Sequence, residues 1–359
     1  MKRFLILAAP IFFLIIAGAG CIKLGGKGSG AMGVFATNDK GETWKPLMAY
    51  PTARGVESIA GLKTYKMHRD PSDPNAIYLA TRGQGLFYTY NKGETWQSVS
   101  ALANRFIYGF AVASDDSCTL YASDGPHVLK STDCSRNWTI IYTEERPNQR
   151  FVSLAVDFHN NDIIYGALIG GDILVSKDAG RSWRVTKRFD FELQSLEADP
   201  FSGGNIFVAS QRNGLYRSRD AGFTWIDLNA GLNNFNDSMN FYRLVLNPAQ
   251  RDSLFWISKY GILRSNDSGV TWGDVKLLTP PGSVNIYAFA INPKNQNEIY
   301  YTGTILGSKN EHIRSTFYKT SDGGVNWITK KLPTNSIPIQ FMMNPANTSQ
   351  LFVGFTTLN

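Results

Sequence analysis

One short turn motif recurs seven times along this chain of 359 residues, and each copy ends in a tryptophan. The seven tryptophans are Trp44, Trp96, Trp138, Trp183, Trp225, Trp272 and Trp327. They lie 52, 42, 45, 42, 47 and 55 residues apart, a period typical of a four-stranded sheet repeated round a ring. The repeat therefore predicts an all-β fold: a single seven-bladed β-propeller of four-stranded antiparallel blades, with no helix of any length.

The motif reads Ser/Thr-x-Asp-x-Gly-x-Thr-Trp, and each residue type suits a tight turn. In the copy that begins at Ser218, the carboxylate of Asp220 can accept hydrogen bonds from turn amides, and Gly222 can adopt a positive φ. The acidic position is occupied in chain order by Asp39, Asn91, Asp133, Asp178, Asp220, Asp267 and Asp322. Two copies are degraded, because Asn91 is an amide and Ser135 replaces the glycine. We interpret these seven residues as structural.

This motif resembles the Asp-box, or bacterial neuraminidase repeat, of sialidases, two-propeller xyloglucanases, sortilin-type receptors and photosystem II assembly factors. The resemblance covers roughly residues 32–359 and implies a β-propeller. The chain has this motif and also an N-terminal segment typical of export, and this combination is most similar to the assembly factors. Those proteins bind a membrane-protein precursor through an arginine patch. By that analogy Arg54, Arg82, Arg105 and Arg212 would contact an acidic partner segment. The Asn/Asp-Pro turns and Ile-Tyr strands resemble instead the xyloglucanase and sortilin style of blade.

The two ends of the chain complement each other. Residues 339–356 provide the first two strands of a repeat, whereas residues 33–36 begin with a third strand. We expect the N-terminal strands to pair with the C-terminal strands in one shared blade, since closure removes the exposed sheet edges of an open array.

The N-terminus is typical of an export signal. Lys2 and Arg3 precede an apolar run over residues 4–17, and small residues lead to Cys21, as in the lipobox of bacterial lipoproteins. We predict a signal peptide over residues 1–20, a lipidated Cys21 with a Gly-rich tether over residues 21–31, and the propeller over residues 32–359. The protein would be membrane-anchored by lipid and face the periplasm or the cell exterior. Ordinary cleavage nearby and an uncleaved anchor are the alternatives.

The two other cysteines lie in one repeat. Cys118 begins the second strand and Cys134 lies in the turn that lost its glycine, and these positions face each other in an antiparallel hairpin. In an exported protein we predict a disulfide between them. Two buried thiols are the alternative.

The net charge is +7, and its placement matters more than its size. The fourth-to-first and second-to-third strand connections share one face, where we place the basic residues Arg54, Arg82, Arg105, Arg146, Arg150, Arg188, Arg212 and Lys259. Arginine forks suit carboxylates, so a ring of them at the channel mouth favours an acidic or membrane-associated protein partner. Solvated charges with local ion pairs are the alternative. The aromatic residues of the same connections, namely Phe106, Phe189, Phe191, Phe235 and Tyr260, suit a protein interface or packing between blades.

No catalytic set is recognisable in the sequence. A sialidase requires an arginine triad and a Tyr-Glu pair, and its usual Arg-Ile-Pro segment near the first motif is absent. A xyloglucanase cleft needs two propellers, whereas this chain has material for one. Asp157 and Glu197 could be imagined as a glycosidase pair, but solvated strand ends are the simpler interpretation. Four scattered histidines give no metal site, and we expect no cofactor and no nucleic-acid partner. The sequence predicts a monomeric, non-catalytic interaction or assembly scaffold, with carbohydrate binding or glycoside hydrolysis as the alternative. The connections over residues 227–240 and 302–315 are candidate recognition loops.

Overall fold

The computed structural model describes residues 30–358, which form a closed ring of seven four-stranded antiparallel sheets, here called blades. The chain begins with β1 (Gly33–Thr37), β2 (Lys45–Leu47) and a separate hairpin of β3 (Ala49–Thr52) and β4 (Gly55–Ser58). Six blades follow, each from its inner to its outer strand: β5 (Thr64–Arg69), β6 (Ile77–Thr81), β7 (Leu86–Thr89), β8 (Gln97–Ser98); β9 (Gly109–Val112), β10 (Leu120–Ser123), β11 (His127–Ser131), β12 (Thr139–Thr143); β13 (Phe151–Asp157), β14 (Asn160–Leu168), β15 (Asp172–Ser176), β16 (Arg184–Arg188); β17 (Ser195–Ala198), β18 (Ile206–Ser210), β19 (Gly214–Ser218), β20 (Ile226–Asp227); β21 (Phe241–Leu246), β22 (Leu254–Ser258), β23 (Ile262–Ser265), β24 (Gly273–Asp274); β25 (Phe289–Asn292), β26 (Asn295–Leu306), β27 (His312–Thr320), β28 (Ile328–Lys330). The last strands are β29 (Ile337–Met343) and β30 (Leu351–Thr356).

The ring closes as the sequence predicts. The seventh sheet has the order β2-β1-β30-β29, so the two ends of the described chain share one blade. Gly33 lies opposite Phe355 and Ala36 lies opposite Phe352 in an antiparallel register. The predicted fold class is therefore confirmed.

Helical structure is minimal in the described chain. The helix α1 (Asn229–Leu232) has four residues, and two 3-10 turns cover Ile59–Gly61 and Ser100–Leu102. The helix lies in the predicted recognition loop over residues 227–240. Trp256 Nε1 donates to the Ser238 carbonyl at 2.8 Å and so attaches this loop to the blade. The other predicted loop, residues 302–315, is mostly the end of the β26–β27 hairpin.

The hydrophobic core is divided into layers between neighbouring blades. The second strands, such as β6 and β18, are buried over their whole length, whereas the outer strands are largely exposed. In one layer, Phe207 of β18 packs with Leu244 of β21 and Trp256 of β22. Each blade thus depends on both neighbours for its buried surface.

The motif tryptophans pack toward the preceding blade. The ring of Trp225 lies 5.4 Å from that of Phe189, and the ring of Trp44 lies 5.9 Å from that of Phe317. Trp96 is fully buried, whereas the other six are half-buried. The tryptophan therefore seals the outer part of each interface between blades.

The turn motif forms the hydrogen bonds that its sequence predicts. In the best copy, Asp220 Oδ1 accepts from the Thr224 amide at 2.8 Å and from the Phe223 amide at 3.1 Å. Thr224 Oγ1 donates to Asp220 Oδ2 at 2.6 Å, and the Gly222 amide donates to Ser218 Oγ at 2.8 Å. Hydrogen bonds from Thr224 lower the pKa of Asp220 to about 2. Gly222 has a φ of 90°, which requires little energy for glycine.

The degraded copies keep the same turn by different means. The Asn91 carbonyl oxygen accepts from the Thr95 amide at 3.0 Å, while its amide group donates to Thr95 Oγ1 at 2.8 Å. Ser135 takes the glycine position with a φ of 70°, directly after Cys134 with a φ of 58°. The predicted disulfide between Cys118 and Cys134 is present, and it joins the segment just before β10 to the turn just after β11.

The signal peptide, the lipidated Cys21 and most of the tether lie outside the described residues. In the part of the chain that the structure describes, no helix combines the length and apolar character needed to cross a membrane.

Candidate functional site

The inner strands of the seven blades enclose a central cavity of about 1020 Å³. Every inner strand starts at the same face of the ring, because each blade begins at its inner strand and alternates direction. We call this face, which carries the fourth-to-first and second-to-third strand connections, the mouth face. The opposite face carries the tryptophan-ended turns and the Asn/Asp-Pro turns, and we call it the turn face.

The wall of the cavity carries more positive than negative charge. Its basic residues are Lys66, Arg69, Arg82, Arg150 and Arg243, and its carboxylates are Glu192 and Glu197. Arg69 lies deeper, where its Nη1 donates to the Met343 carbonyl at 2.8 Å. A concave, partly desolvated wall with this excess of cations attracts anionic ligands.

Three aromatic side chains from two neighbouring blades form a cluster at the mouth. The rings of Phe106 and Tyr108 stack with centroids 4.1 Å apart, and the ring of Tyr65 contacts Phe106 edge-on at 4.9 Å. Phe106 and Tyr108 lie in the connection that leads to β9, whereas Tyr65 is the second residue of β5. We call Tyr65, Phe106 and Tyr108 the aromatic cluster.

A β-bulge explains how Tyr65 reaches this position. The register of β5 against β6 shifts between Thr64 and Lys66, so Tyr65 has no partner in the ladder. A bulge breaks the alternation of side chains and redirects the extra residue. Three other inner strands have the same irregularity at the same height, and their extra residues are Val152, Tyr242 and Ile339.

Two arginines flank the aromatic cluster. The guanidinium of Arg82 lies 5.7 Å from the ring centre of Tyr65, and that of Arg150 lies 5.5 Å from the ring centre of Tyr108. Both side chains belong to half-buried residues, and within residues 30–358 neither buried Nε has a hydrogen-bond partner. A buried donor without a partner is costly unless a ligand satisfies it. The arrangement can therefore accept a planar anionic group, such as a carboxylate, beside an apolar side chain.

Charged groups also occupy the interior of the cavity below the cluster. Burial raises the pKa of the Glu197 carboxyl, and the positive charges of Lys66 and Arg243 act in the opposite direction. Burial lowers the pKa of His68 to about 3, with the same two cations acting in the same direction, so this imidazole is neutral at pH 7. Arg243 Nη2 donates to the Ile339 carbonyl at 3.0 Å. The interior thus keeps a net positive charge.

Of the eight basic residues predicted on the mouth face, the structure brings Arg82 and Arg150 into the cavity wall. Four others are held in local ion pairs, as the alternative interpretation had it: Arg105 with Asp124, Arg146 with Glu144 and Asp172, Arg188 with Asp172, and Lys259 with Asp237. Arg54 lies exposed at the end of the β3–β4 hairpin, and Arg212 is exposed in the connection between β18 and β19. Two of the eight basic residues thus line the cavity at one side of the mouth, four are ion-paired, and two are exposed.

The predicted aromatic residues divide in the same way. Phe106 belongs to the aromatic cluster, whereas Phe189 and Phe191 pack against Tyr216 and Phe235 packs against Tyr260. Sequence reasoning missed Tyr65, Tyr108, Lys66 and Arg243. Their position at or near the start of inner strands is the sequence feature that could have identified them. The β-bulges, which the sequence does not reveal, determine which of them face the cavity.

The imagined glycosidase pair is not assembled in the cavity. Asp157 is 2% exposed, and its Oδ2 accepts from Tyr165 Oη at 2.8 Å and from the Gly204 amide at 2.7 Å. The interpretation of Asp157 as a solvated strand end was thus wrong, because the carboxylate fixes a turn between two blades. Glu197 lines the cavity, where Ser195 Oγ donates to it at 3.1 Å. Within residues 30–358, no three His, Cys, Asp or Glu side chains are grouped as metal ligands would be.

Comparisons with known proteins place this chain among propellers. No family model matches it. The xyloglucanase Xgh74A of Acetivibrio thermocellus is 26% identical over 170 residues, which cover 38% of this chain and 19% of that protein. A xyloglucanase of Hypocrea jecorina is 23% identical over 280 residues, covering 73% of this chain and 30% of that protein. The chain thus spans less than a third of the length of these curated relatives.

Several solved structures superpose on most of this chain. The GH74 xyloglucanase of Xanthomonas campestris superposes with a TM-score of 0.64 at 16% identity, covering 82% of this chain and 51% of its own. YCF48 from Cyanidioschyzon merolae superposes with a TM-score of 0.60 at 14% identity, covering 82% of this chain and 96% of its own. YCF48 bound to D1 peptide gives a TM-score of 0.60 at 17% identity, with coverage of 82% and 94%. These likenesses show the fold. Because such neighbours include both enzymes and a peptide-binding propeller, the function must be argued from the site.

Proposed function

We propose that this protein is a membrane-tethered, extracytoplasmic propeller that acts as a non-catalytic interaction or assembly scaffold. It binds an extended, acidic segment of a partner protein at the mouth of its central cavity. The observation that carries the proposal is the pair of half-buried arginines, Arg82 and Arg150, whose Nε donors have no partner within residues 30–358 and which flank the aromatic cluster.

The chemistry of the mouth fits such a segment. A peptide carboxylate can accept from a guanidinium while a neighbouring apolar side chain packs on the rings of Tyr65 and Tyr108. Since the β-ring holds these groups in place before binding, little ordering entropy is lost on association. YCF48 superposes on this chain over almost its whole length, and its structure contains a bound peptide. The similarity in fold supports a peptide ligand here as well.

Carbohydrate binding is the second candidate, and the sequence likeness to xyloglucanases favours it. The aromatic cluster could then stack on a sugar ring. Against hydrolysis by the pair Asp157 and Glu197 stands the position of Asp157 outside the cavity wall, since a glycosidase needs both of its carboxylates beside one bond.

The test measures the affinity of the full chain, in detergent, for three fluorescent probes: a peptide with alternating Glu and Leu residues, the same peptide with Lys in place of Glu, and a xyloglucan oligosaccharide. We expect the acidic peptide to bind best and more weakly at high salt. Replacing both Arg82 and Arg150 by Gln should weaken this binding about a hundred-fold or more, because each of the two charge-assisted hydrogen bonds contributes about 1.5 to 3 kcal/mol.

The matched control is Arg188→Gln, on the same face but paired with Asp172 and 70% exposed. This variant should bind the acidic peptide like the unaltered chain. Saturable binding of the oligosaccharide without binding of the acidic peptide would reject the proposal in favour of the second candidate.

A further inference from the structure

The described chain enters the propeller on the mouth face. Ser336 Oγ donates to the Gly30 carbonyl at 2.7 Å, and the Met32 amide donates to the Ala60 carbonyl at 2.9 Å. Ser336 directly precedes the inner strand β29, and Ala60 lies just before the inner strand β5. Both inner strands begin at the mouth, so Gly30 lies at the mouth as well.

The register of the closing blade requires this placement. Ile337, the first residue of β29, pairs with Thr356, and Gly33 pairs with the adjacent Phe355. Strand β1 therefore runs from the mouth face at Gly33 to the turn face at Thr37. Whatever precedes residue 30 is attached beside the cavity and not at the opposite face.

The sequence sets the reach of that attachment. Cys21 lies nine residues before Gly30. Because an extended chain spans at most about 3.3 to 3.6 Å per residue, a lipid on Cys21 would lie within about 30 Å of the mouth. Turning the opposite face to the bilayer would use about half of this length along the height of a blade, since a five-residue strand such as β1 rises about 17 Å.

We infer that the mouth of the cavity is turned toward the membrane, and that the segment it binds is the membrane-proximal part of an integral membrane partner. This inference rests on the proposed function for the nature of the ligand and on the position of Gly30 for its location.

The ion pairs on the mouth face favour a protein segment, and not the lipid surface, as the ligand of the mouth. At the rim, Arg105, Arg146, Arg188 and Lys259 are each neutralised by a carboxylate. Arg82 and Arg150 instead line the cavity wall, where a narrow chain can reach them and a flat bilayer cannot. Recognition of anionic lipid uses a free basic cluster at the surface, and the described rim is mostly paired.

Orientation is measured on the full, lipidated chain in vesicles that contain a headgroup-quenching lipid. A fluorophore is attached at Ala53→Cys, in the β3–β4 hairpin of the mouth face, or at Ser321→Cys, in a turn of the opposite face; both positions are exposed. We expect strong loss of fluorescence at position 53 and little at position 321. Equal loss, greater loss at position 321, or failure of the chain to attach to vesicles would overturn the inferred orientation.

The partner is tested with the same vesicles by anchoring the acidic peptide to a lipid through a short linker. We expect the tethered propeller to bind it, and Arg82→Gln with Arg150→Gln to abolish that binding without changing the fluorescence at position 53. Binding in detergent that is lost when the peptide is held at the membrane would refute the membrane-proximal partner and leave the proposed function standing. Loss in both settings would refute the proposed function and the inferred partner together.

Discussion

The carboxylate of the turn motif shows how one residue determines a local conformation. Asp220 accepts hydrogen bonds from two backbone amides and two hydroxyls of its own turn, and these bonds lower its pKa. The same turn with Asn91 keeps the acceptor for the backbone amide and exchanges the carboxylate for a donor toward Thr95. An amide is thus a tolerated substitute, whereas a methyl group would leave the amides without a partner from this side chain.

We expect Asp220→Ala to lower the free energy of unfolding by about 1 to 2 kcal/mol, because several modest hydrogen bonds are lost in an exposed turn. Asp220→Asn should cost clearly less, since it reproduces the turn at Asn91. Chemical denaturation of both variants measures the difference. Equal costs for the two variants would show that the charge, and not the acceptor geometry, stabilises the turn.

The pH dependence of the unfolding free energy separates the contribution of the charge from that of the acceptor geometry. A carboxyl whose pKa is lowered in the folded state stabilises it fully above the unfolded pKa of about 4, and this stabilisation is lost as the pH falls toward 2. Asp220→Asn should therefore approach the unaltered chain in stability as the pH is lowered from 5 to 2. A difference in stability between Asp220→Asn and the unaltered chain that stays constant from pH 5 to pH 2 would contradict a contribution from the carboxylate charge.

At the scale of elements, the hairpin of β10 and β11 illustrates compensation. The turn that follows this hairpin, between β11 and β12, places Cys134 and Ser135 at successive positive φ values, which cost energy for residues with a side chain. The disulfide to Cys118 closes this hairpin, with a sequence separation of 16. We interpret the cross-link as the replacement for the glycine that the other six copies have.

Replacing both Cys118 and Cys134 by Ser should lower the free energy of unfolding by about 3 kcal/mol, by the loop-entropy relation for a closed loop of this size. Adding Ser135→Gly to this variant should restore about 1 kcal/mol, because glycine removes the left-handed strain. Thermal or denaturant unfolding under matched oxidising conditions measures both steps. The interpretation fails if the glycine substitution gives no gain in the variant without the disulfide.

At the scale of the whole molecule, ring closure makes stability a shared property. Strand β1 pairs with β30 over five residues, and Phe35, Phe341 and Val353 of the shared blade pack with Tyr300 and Phe317 of the preceding blade. Removing one side of the shared blade exposes sheet edges and apolar surface on both neighbours.

A chain lacking residues 339–359 should therefore aggregate or melt at a much lower temperature. The matched control lacks only residues 357–359, which follow β30, and should melt like the unaltered chain. Light scattering and calorimetry distinguish the two. A monomeric long truncation with an unchanged melting temperature would contradict the role of closure.

Much of the fold could be predicted because it depends on local chemistry. The seven turns, the buried second strands and the complementary ends follow from residue types at a regular spacing, as does the pairing of Cys118 with Cys134. The β3–β4 hairpin was missed, since its exposed residues lack a buried face and are held through contacts such as Tyr50 with Phe87.

The site was less predictable. Which arginines are free depends on partners distant in sequence, such as Asp172 for Arg146, and which aromatic residues reach the mouth depends on bulges that no spacing reveals. The sequence by itself determined the number of blades, their order and the way the ring closes, because short-range turn chemistry and side-chain alternation suffice for these. Only the tertiary structure decided that Arg82 and Arg150 join Tyr65 and Tyr108 at the mouth, because burial and ion pairing are properties of side chains brought together from different blades.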